Sequence, residues 1–326
     1  MYNMDMSLLS IKNYSMSFCL ESGLFKALNN VSLNIEKQQM IALVGESGCG
    51  KSMTAMSILR LLPKNAVINS GEIIFDNQNL LEVKDSKMRD IRGARIALIP
   101  QDPMTSLNPL YTVGNQLFEV INKNNSISKK DMIKKAIEVL DIVKIPNPKE
   151  KLSMYPHEFS GGMKQRAIIA MALATNAELI IADEPTTALD VTIQAQIMNI
   201  LNDIKENLGT SILLISHELN LVGQYSDEIN IMYAGQIVEK APSKIFFEKP
   251  LHPYSKALLN SLPANNTNSQ KLHTIEGQPP NIQEKIEGCR FNPRCAKRMN
   301  GICTIKAPSL KEIEPNHFVE CFLYEM

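Results

Sequence analysis

The chain has 326 residues, of which 44% are hydrophobic and 21% are charged, and its 34 basic side chains balance its 34 acidic ones. This composition is ordinary for a globular protein of one large domain with or without an appendage, and the neutral balance argues against a nucleic-acid partner. The longest apolar run, residues 167–174, is far shorter than the ~20 residues that span a bilayer, and the first ten residues show no secretion signal, so we expect a cytosolic protein.

Short apolar runs alternate with helical patterns from residue 7 to about residue 250, which predicts an α/β core with helices on both faces of a sheet. The predicted core strands, short and bounded by polar residues like buried parallel strands, are Met40–Val44, Arg95–Ile99, Leu179–Ala182 and Ser211–Ile215. The predicted helices are Ser52–Leu62, Lys130–Val143, Met163–Thr175 and Ile193–Asn207. A separate antiparallel patch is predicted from Leu8–Cys19, Leu28–Ile35 and Gly71–Phe75.

The segment that follows the first core strand fits the phosphate-binding loop pattern of two glycines, a lysine and a serine. It reads Gly45-Glu46-Ser47-Gly48-Cys49-Gly50-Lys51-Ser52. Glycines let backbone N–H groups converge, and the following helix N-terminus adds positive charge, so such a loop surrounds phosphate oxygens. We expect Lys51 to reach the β- and γ-phosphates of ATP and Ser52 to bind Mg²⁺.

Two carboxylates and a histidine stand at the ends of later core strands. Asp183 and Glu184 follow residues 179–182, and His217 follows residues 211–216. Ligands bind at the carboxyl ends of strands in open α/β sheets. We therefore expect Asp183 to help hold Mg²⁺, Glu184 to act as general base on the attacking water, and His217 to contact the γ-phosphate.

A second candidate anion site begins with Ser160, Gly161 and Gly162. Serine is a favoured N-cap, and glycines permit close backbone approach. Two phosphate-binding helix ends in one chain suggest a head-to-tail dimer, in which Ser160 and Gly162 of one chain cap the γ-phosphate bound by the other. A merely well-capped helix would account for the segment in isolation.

Together these motifs resemble the ABC transporter ATPase family over residues 7 to about 250. The matching motifs are residues 45–52, Gln101, residues 159–166, residues 180–185, Ala188–Asp190 and residues 215–218. The resemblance implies a P-loop NTPase core, an antiparallel β subdomain and a helical subdomain, which together form a nucleotide-binding domain over residues 7–258.

The same resemblance implies roles for further residues. Gln101 would sense Mg²⁺ and the water and link the site to transmembrane partners, and Asp190 would lie in the loop after the catalytic glutamate. Phe18 stands where the family places the aromatic ring that stacks on adenine, with Tyr14 and Phe25 as alternatives.

Residues beyond the core indicate a subfamily. Segments 102–109, 252–259, 277–280 and 288–295 resemble the oligopeptide/dipeptide importer ATPases with their C-terminal extension, here residues 259–326. The resemblance implies two permease subunits, an extracytoplasmic peptide-binding protein, a second ATPase that is identical or paralogous, and a peripheral position on the cytoplasmic face of the cell membrane. Nickel importers belong to the same broad group, but their ATPases commonly lack the cysteine tail, which favours peptides. The polar segment Pro263–Gln270 predicts a linker.

Four of the six cysteines cluster near the C-terminus, whereas Cys19 and Cys49 are isolated. The clustered ones are Cys289, Cys295, Cys303 and Cys321. Four thiolates suit a [4Fe–4S] cluster or Zn²⁺. The tight cysteine pair typical of zinc sites is missing, and some members of the resembled subfamily carry a [4Fe–4S] cluster on such a tail, so iron is favoured. Four reduced thiols remain the alternative.

Two rival functions are weighed against transport. A soluble ABC-type ATPase of DNA repair or translation would usually have a long coiled-coil insertion or two cassettes, whereas this sequence has one cassette and no heptad run. A regulatory subunit that binds ATP without hydrolysing it would not need Glu184 and His217.

Overall fold

The structure, a computed structural model, describes residues 7–124, 127–187, 189–262 and 275–325. The predicted linker Pro263–Gln270 and Ala188 lie outside the described residues. The chain divides into two compact units, of which the first comprises residues 7–36, 40–82 and those from 216 onward, and the second comprises residues 37–39 and 83–215. In the described ranges, no helix combines the length and the apolar character needed to cross a membrane.

The strands, in chain order, are β1 (Ser7–Leu20), β2 (Gly23–Glu36), β3 (Met40–Val44), β4 (Ala66–Phe75), β5 (Gln78–Asn79), β6 (Ile96–Ile99), β7 (Leu179–Asp183), β8 (Ser211–Ser216), β9 (Glu228–Tyr233), β10 (Gln236–Pro242), β11 (Leu310–Glu314) and β12 (His317–Glu320). The helices are α1 (Lys51–Ile58), α2 (Asp85–Ile91), α3 (Pro103–Ser106), α4 (Val113–Asn124), α5 (Lys129–Ile142), α6 (Pro148–Lys151), α7 (Gly161–Ala174), α8 (Val191–Leu208), α9 (Leu219–Tyr225), α10 (Ser243–Glu248) and α11 (Pro253–Asn260).

An antiparallel sheet in the first unit has the strand order β2-β1-β4-β5. Leu9 lies opposite Phe75 and Ile11 lies opposite Ile73, and all four side chains are buried. Residues two apart in a strand share a face, so this register places one apolar face of β1 and β4 in the core. The predicted antiparallel patch is thereby confirmed, with each strand longer than its prediction.

The first unit also contains strands in the order β11-β12-β10-β9-β3, in which β3 and β9 are parallel and the other pairs are antiparallel. All five residues of β3 are buried, as is typical of a parallel strand covered on both faces. The strand ends at Val44, directly before Gly45, and α1 begins at Lys51. The phosphate-binding loop therefore joins a buried strand to a helix, as the sequence predicts.

Strands β11 and β12 come from the cysteine-rich tail, for which the sequence predicts no strand. Glu239 of β10 is completely buried and lies 2.8 Å from His317 Nε2 of β12. Its carboxylate also accepts hydrogen bonds from the backbone N–H groups of Leu251 and His252, both at 2.7 Å. A buried carboxylate requires such partners, and the contact with His317 attaches the tail to β10.

The second unit contains the parallel strands β6, β7 and β8, in the order β8-β7-β6, and helices that include the mutually packed α4, α5 and α7. All residues of β7 are buried, including the terminal Asp183. The unit thus supplies both the acidic strand end and the helical subdomain that the resemblance implies.

Three helices begin or end at residues other than those predicted, and residues at their ends explain the differences. Ser160 caps α7 and Asp190 caps α8, so both helices begin two residues earlier than predicted. In contrast, α1 ends at Ile58, four residues early, and Arg60 adopts a positive φ of 50°. A left-handed residue stops an α-helix because its backbone cannot continue the right-handed turn.

Candidate functional site

The phosphate-binding loop requires glycine at two positions for different reasons. Gly50 has a φ of +112°, which side chains rarely adopt, and a Cβ there would lie 2.8 Å from Leu28 Cδ2. A Cβ on Gly45 would lie 2.2 Å from the carbonyl oxygen of Met232. The loop therefore has the close backbone approach and the left-handed turn of a phosphate cradle, directly before the N-terminus of α1.

Lys51 is held against its own loop. Its side chain is buried, and Nζ donates hydrogen bonds to the carbonyl oxygens of Gly45 (2.8 Å) and Glu46 (3.2 Å). An ammonium group has three donors and no acceptor. The geometry thus fixes the cation at the loop, where an entering phosphate could replace carbonyl partners.

A cavity of about 370 Å³ adjoins the loop. Its walls include Gly48 and Gly50 together with Phe18 and Phe25, which are cross-strand partners in β1 and β2. Tyr14, the other aromatic alternative, is completely buried and does not line this cavity. An apolar pocket with convergent polar groups beside a phosphate loop is the expected setting for a nucleobase.

Residues 280–286 of the tail form another wall of this cavity. The sequence predicts only a cysteine site in the tail, and this second contribution of the tail is not predicted. No motif in PNIQEKI indicates it; only the fold places the segment there.

Glu184 receives two side-chain hydrogen bonds at the end of β7. Gln101 Nε2 donates to Oε2 at 2.9 Å, and Thr187 Oγ1 donates to the same oxygen at 3.0 Å. The residue has a positive φ of 48°, and its N–H donates to Ile215 O at 2.9 Å. Non-glycine residues with positive φ are uncommon and concentrate at functional sites. Two predicted catalytic residues are thus in contact, and Thr187 is a partner that the sequence analysis missed.

The start of α7 has the predicted cap, because Ser160 Oγ accepts a hydrogen bond from the N–H of Met163 at 3.3 Å. A Cβ on Gly162 would lie 2.9 Å from Ile193 Cγ2. Asp190 caps α8 by accepting from the N–H of Ile193 at 2.9 Å. Close packing of α7 against α8 therefore accounts for the glycine at 162, and the N-terminus of α7 retains its potential as an anion site.

His217 follows β8, and its side chain is about half exposed (49%). Its Nε2 lies 4.0 Å from Glu218 Oε1. The imidazole is therefore accessible to a ligand rather than enclosed in the core, which is the placement that a γ-phosphate contact requires.

The four tail cysteines line one pocket, together with other residues that include His252 and Phe291. Burial, with a smaller contribution from the neighbouring thiols, raises the pKa of Cys289 to about 12 and that of Cys321 to about 11. Without a metal these groups stay protonated at neutral pH, whereas metal coordination would deprotonate them. The donor set fits a thiolate-bound group, although no trio of His, Cys, Asp or Glu among the described side chains is arranged to hold a single metal ion.

The predicted site residues divide between the two units. The first unit carries residues 45–52, Phe18, His217 and the four tail cysteines. The second carries Gln101, Ser160, Gly161, Gly162, Asp183, Glu184 and Asp190.

Two family models match the sequence. The model for ABC transporters matches residues 28–187, and the model for the C-terminal region of oligopeptide/dipeptide transporters matches residues 238–303. The matches include the phosphate-binding loop in the first case and three of the four tail cysteines in the second.

Curated relatives resemble the chain over almost its whole length. A probable peptide ABC transporter ATP-binding protein of Sinorhizobium fredii is 47% identical, with 97% of this chain and 94% of the relative covered. The dipeptide transport ATP-binding protein DppD of Bacillus subtilis is 45% identical (97% and 95% covered), and the oligopeptide transport ATP-binding protein OppD of Escherichia coli is 42% identical (97% and 93% covered).

Solved structures resemble the fold. The ATP-binding cassette MJ0796, in a dimeric post-hydrolysis state bound to ADP and Pi, is 28% identical with a TM-score of 0.64, and the match covers 72% of this chain and 98% of that one. A second dimeric structure of the same cassette has a TM-score of 0.65.

Proposed function

The chain belongs to the ABC transporter family, and we propose on that basis that it is the ATP-hydrolysing subunit of an importer for dipeptides and oligopeptides. One observation carries the choice of substrate: the similarity to peptide-transport ATP-binding proteins extends along the chain and includes the tail. A nickel or other small-solute importer is the alternative within the same class. A soluble ABC-type ATPase of DNA repair or translation is disfavoured because residues 238–303 match the family model for the C-terminal region of oligopeptide/dipeptide transporters.

We assign ATP to the phosphate-binding loop and the cavity beside it. Loop amides and Lys51 would bind the phosphates, and Phe18 would stack on adenine. Stacking of a base on an aromatic ring contributes about 1–3 kcal/mol. The wall formed by Phe18 and Phe25 supports this assignment. Mg²⁺ would be held by Ser52, Asp183 and Gln101 and would neutralise developing phosphate charge.

Glu184 is the proposed general base. Its carboxylate would take a proton from water as the water attacks the γ-phosphorus in line with the breaking bond to the β–γ bridging oxygen. ADP would leave with that oxygen, and His217 would contact the γ-phosphate. The two donors on Oε2 support this role, because they hold the carboxylate in one direction. Catalysis of this kind depends mainly on positioning and charge stabilisation.

A second ATPase subunit, identical or paralogous, would form a head-to-tail dimer with this chain. In that arrangement Ser160, Gly161 and Gly162 of one subunit would face the γ-phosphate held by the other. The dimeric state of the cassette MJ0796 supports this proposal. Two permeases and an extracytoplasmic peptide-binding protein would complete the importer, with this chain on the cytoplasmic face of the membrane.

The tail cysteines are proposed to hold a [4Fe–4S] cluster, with Zn²⁺ as the alternative. A cluster takes one thiolate on each of four irons around a wide centre. Four thiols around one pocket support the proposal.

Uptake measurements test the proposed function. Cells that lack the chain should lose uptake of labelled dipeptides or oligopeptides. The unmodified chain should restore this uptake, whereas the Lys51→Ala variant should not. Loss of ⁶³Ni²⁺ uptake with normal peptide uptake would instead establish the alternative.

A further inference from the structure

The phosphate-binding loop contains a carboxylate of its own. Glu46 is the second residue of Gly45–Ser52, a loop proposed to hold a polyanion. A negative charge at that place repels phosphates, and the repulsion is strong in a partly buried site, where screening by water is weak. A nearby cation is therefore needed for the loop to remain a good phosphate site.

Arg294 of the C-terminal extension supplies that cation. Its Nη1 lies 2.6 Å from Glu46 Oε2, and its Nη2 lies 3.0 Å from Glu46 Oε1. The two residues are 248 positions apart in sequence. Two parallel N–H···O bonds form the bidentate arrangement that only arginine provides, and such pairs are shorter and stronger than single hydrogen bonds.

The pair is enclosed. The Arg294 side chain is 5% exposed and that of Glu46 is 23% exposed. Arg294 is itself fixed, because its Nε donates to the carbonyl oxygen of Glu276 at 3.0 Å and its Nη1 lies 3.5 Å from Tyr233 Oη. This environment is unlike that of a surface ion pair, which solvent weakens to near zero.

Glu46 is also held through its main chain. Its N–H donates to Tyr254 Oη at 3.1 Å, and its carbonyl oxygen accepts from Lys51 Nζ at 3.2 Å. The residue clamped by Arg294 therefore touches the lysine that is proposed to bind the β- and γ-phosphates. A shift of Glu46 would shift a partner of that lysine.

We propose that Arg294 is a positioning residue for ATP: it cancels the charge of Glu46 and holds the phosphate-binding loop in its binding shape. The inference rests on the proposed function, in which that loop binds ATP. It makes the C-terminal extension a part of the nucleotide site, in addition to its cysteine pocket. Arg294 directly precedes Cys295, so the arginine that binds Glu46 and the cysteine pocket share one short segment.

Removing first one charge and then both separates this role from simple docking of the tail. In Arg294→Met the carboxylate of Glu46 is left unpaired, and the Kd for ATP should rise about tenfold, equivalent to about 1.4 kcal/mol. In the double variant Arg294→Met/Glu46→Gln neither charge remains, and the Kd should return to within about twofold of the unmodified chain. A tail that merely docks through Arg294 would show no such recovery.

Two further variants complete the experiment, which uses calorimetric titration of the full chain with ATP. Arg294→Lys keeps the charge without the fork and should give an intermediate Kd, which tests the inference even if Arg294→Met does not fold. Arg298→Met removes an exposed arginine of the same extension and should bind ATP normally.

The outcomes separate the two proposals. An unchanged Kd in Arg294→Met, or no recovery of the Kd in the double variant, overturns the inference about Arg294. In either case, ATP binding by the unmodified chain still supports the proposed function. A full chain that binds no ATP overturns both.

Discussion

Gln101 Nε2 donates a hydrogen bond to Glu184 Oε2 at 2.9 Å, and Thr187 Oγ1 donates to the same oxygen at 3.0 Å. Two hydrogen bonds to one oxygen fix the orientation of the whole carboxylate group. The positive φ of Glu184 reinforces this direction, because an unusual backbone conformation persists only where its surroundings hold it. These contacts would hold the proposed general base in position before the reaction begins.

Replacing this base should separate binding from turnover. In Glu184→Gln the side-chain carbonyl can still accept from Gln101, but the amide cannot take a proton. ATP affinity should persist, whereas phosphate release should fall by about 10²- to 10⁴-fold. Titration with ATP and a phosphate-release assay measure the two effects, with the exposed Glu138→Gln as a control that should behave normally. Unimpaired hydrolysis by Glu184→Gln would refute the assigned role.

Removing the loop cation should act on binding itself. Lys51→Ala deletes the ammonium that contacts Gly45 O and Glu46 O, and the Kd for ATP should rise by at least about tenfold, since a charged hydrogen bond is lost. The same titration on Lys149→Ala, an exposed lysine of α6, should give the original Kd. Equal Kd values for Lys51→Ala and the unmodified chain would remove the loop from the nucleotide site.

The conformation of the loop should tolerate no side chain at residue 50. Gly50→Ala combines a φ of +112° with a Cβ placed 2.8 Å from Leu28 Cδ2, and we expect about 1–3 kcal/mol of destabilisation with weakened ATP binding. Gly93→Ala is the matched control, because its φ is +80° but nothing in the described structure lies within 4 Å of the added Cβ. It should lose some stability and bind ATP normally. Equal ATP affinity in both variants would contradict the proposed loop geometry.

The buried pair of Glu239 and His317 should dominate the attachment of the tail. Glu239→Ala removes an acceptor of two backbone N–H groups and leaves His317 without this partner. Breaking a buried pair on one side costs about 3–5 kcal/mol. Urea unfolding measures the loss, and Glu72→Gln, at an exposed position of β4, should unfold like the original chain. A change below about 1 kcal/mol, the range of an exposed ion pair, would show that the pair does not hold the tail.

The cysteine pocket should be occupied in protein purified without oxygen. We expect a brown protein with about four iron atoms per chain, and loss of the colour in Cys303→Ser because Cys303 lines the pocket. Cys19→Ser, at an exposed position outside the pocket, should keep both iron and colour. A colourless chain that contains one zinc would contradict the cluster and establish the alternative ligand.

The sequence predicts the structure correctly where neighbouring residues alone determine it. The apolar strand Met40–Val44 and the glycines after it predict a strand, a loop and a helix in order, and the structure has them. Asp183 and Glu184 are likewise found at the end of a fully buried strand. These features depend on neighbours in sequence, so their residues predict them.

Features that depend on distant partners escaped prediction. Strand β12 has only four residues, of which Phe318 and Val319 are apolar, and this pattern is too short to predict a strand. The strand forms where β10 and the carboxylate of Glu239 are available to pair with it. The contact between Arg294 and Glu46 joins residues 248 positions apart, and neither residue type nor spacing indicates it. The cavity wall at residues 280–286 arises in the same way, because the fold alone brings the tail to the loop.

ATP hydrolysis in vesicles that contain the complete importer and its binding protein tests whether this chain hydrolyses ATP to drive peptide import. We expect dipeptides or oligopeptides to accelerate phosphate release and Glu184→Gln in this chain to abolish the acceleration. Phosphate release that is indifferent to peptide, or that persists in Glu184→Gln, would contradict this function.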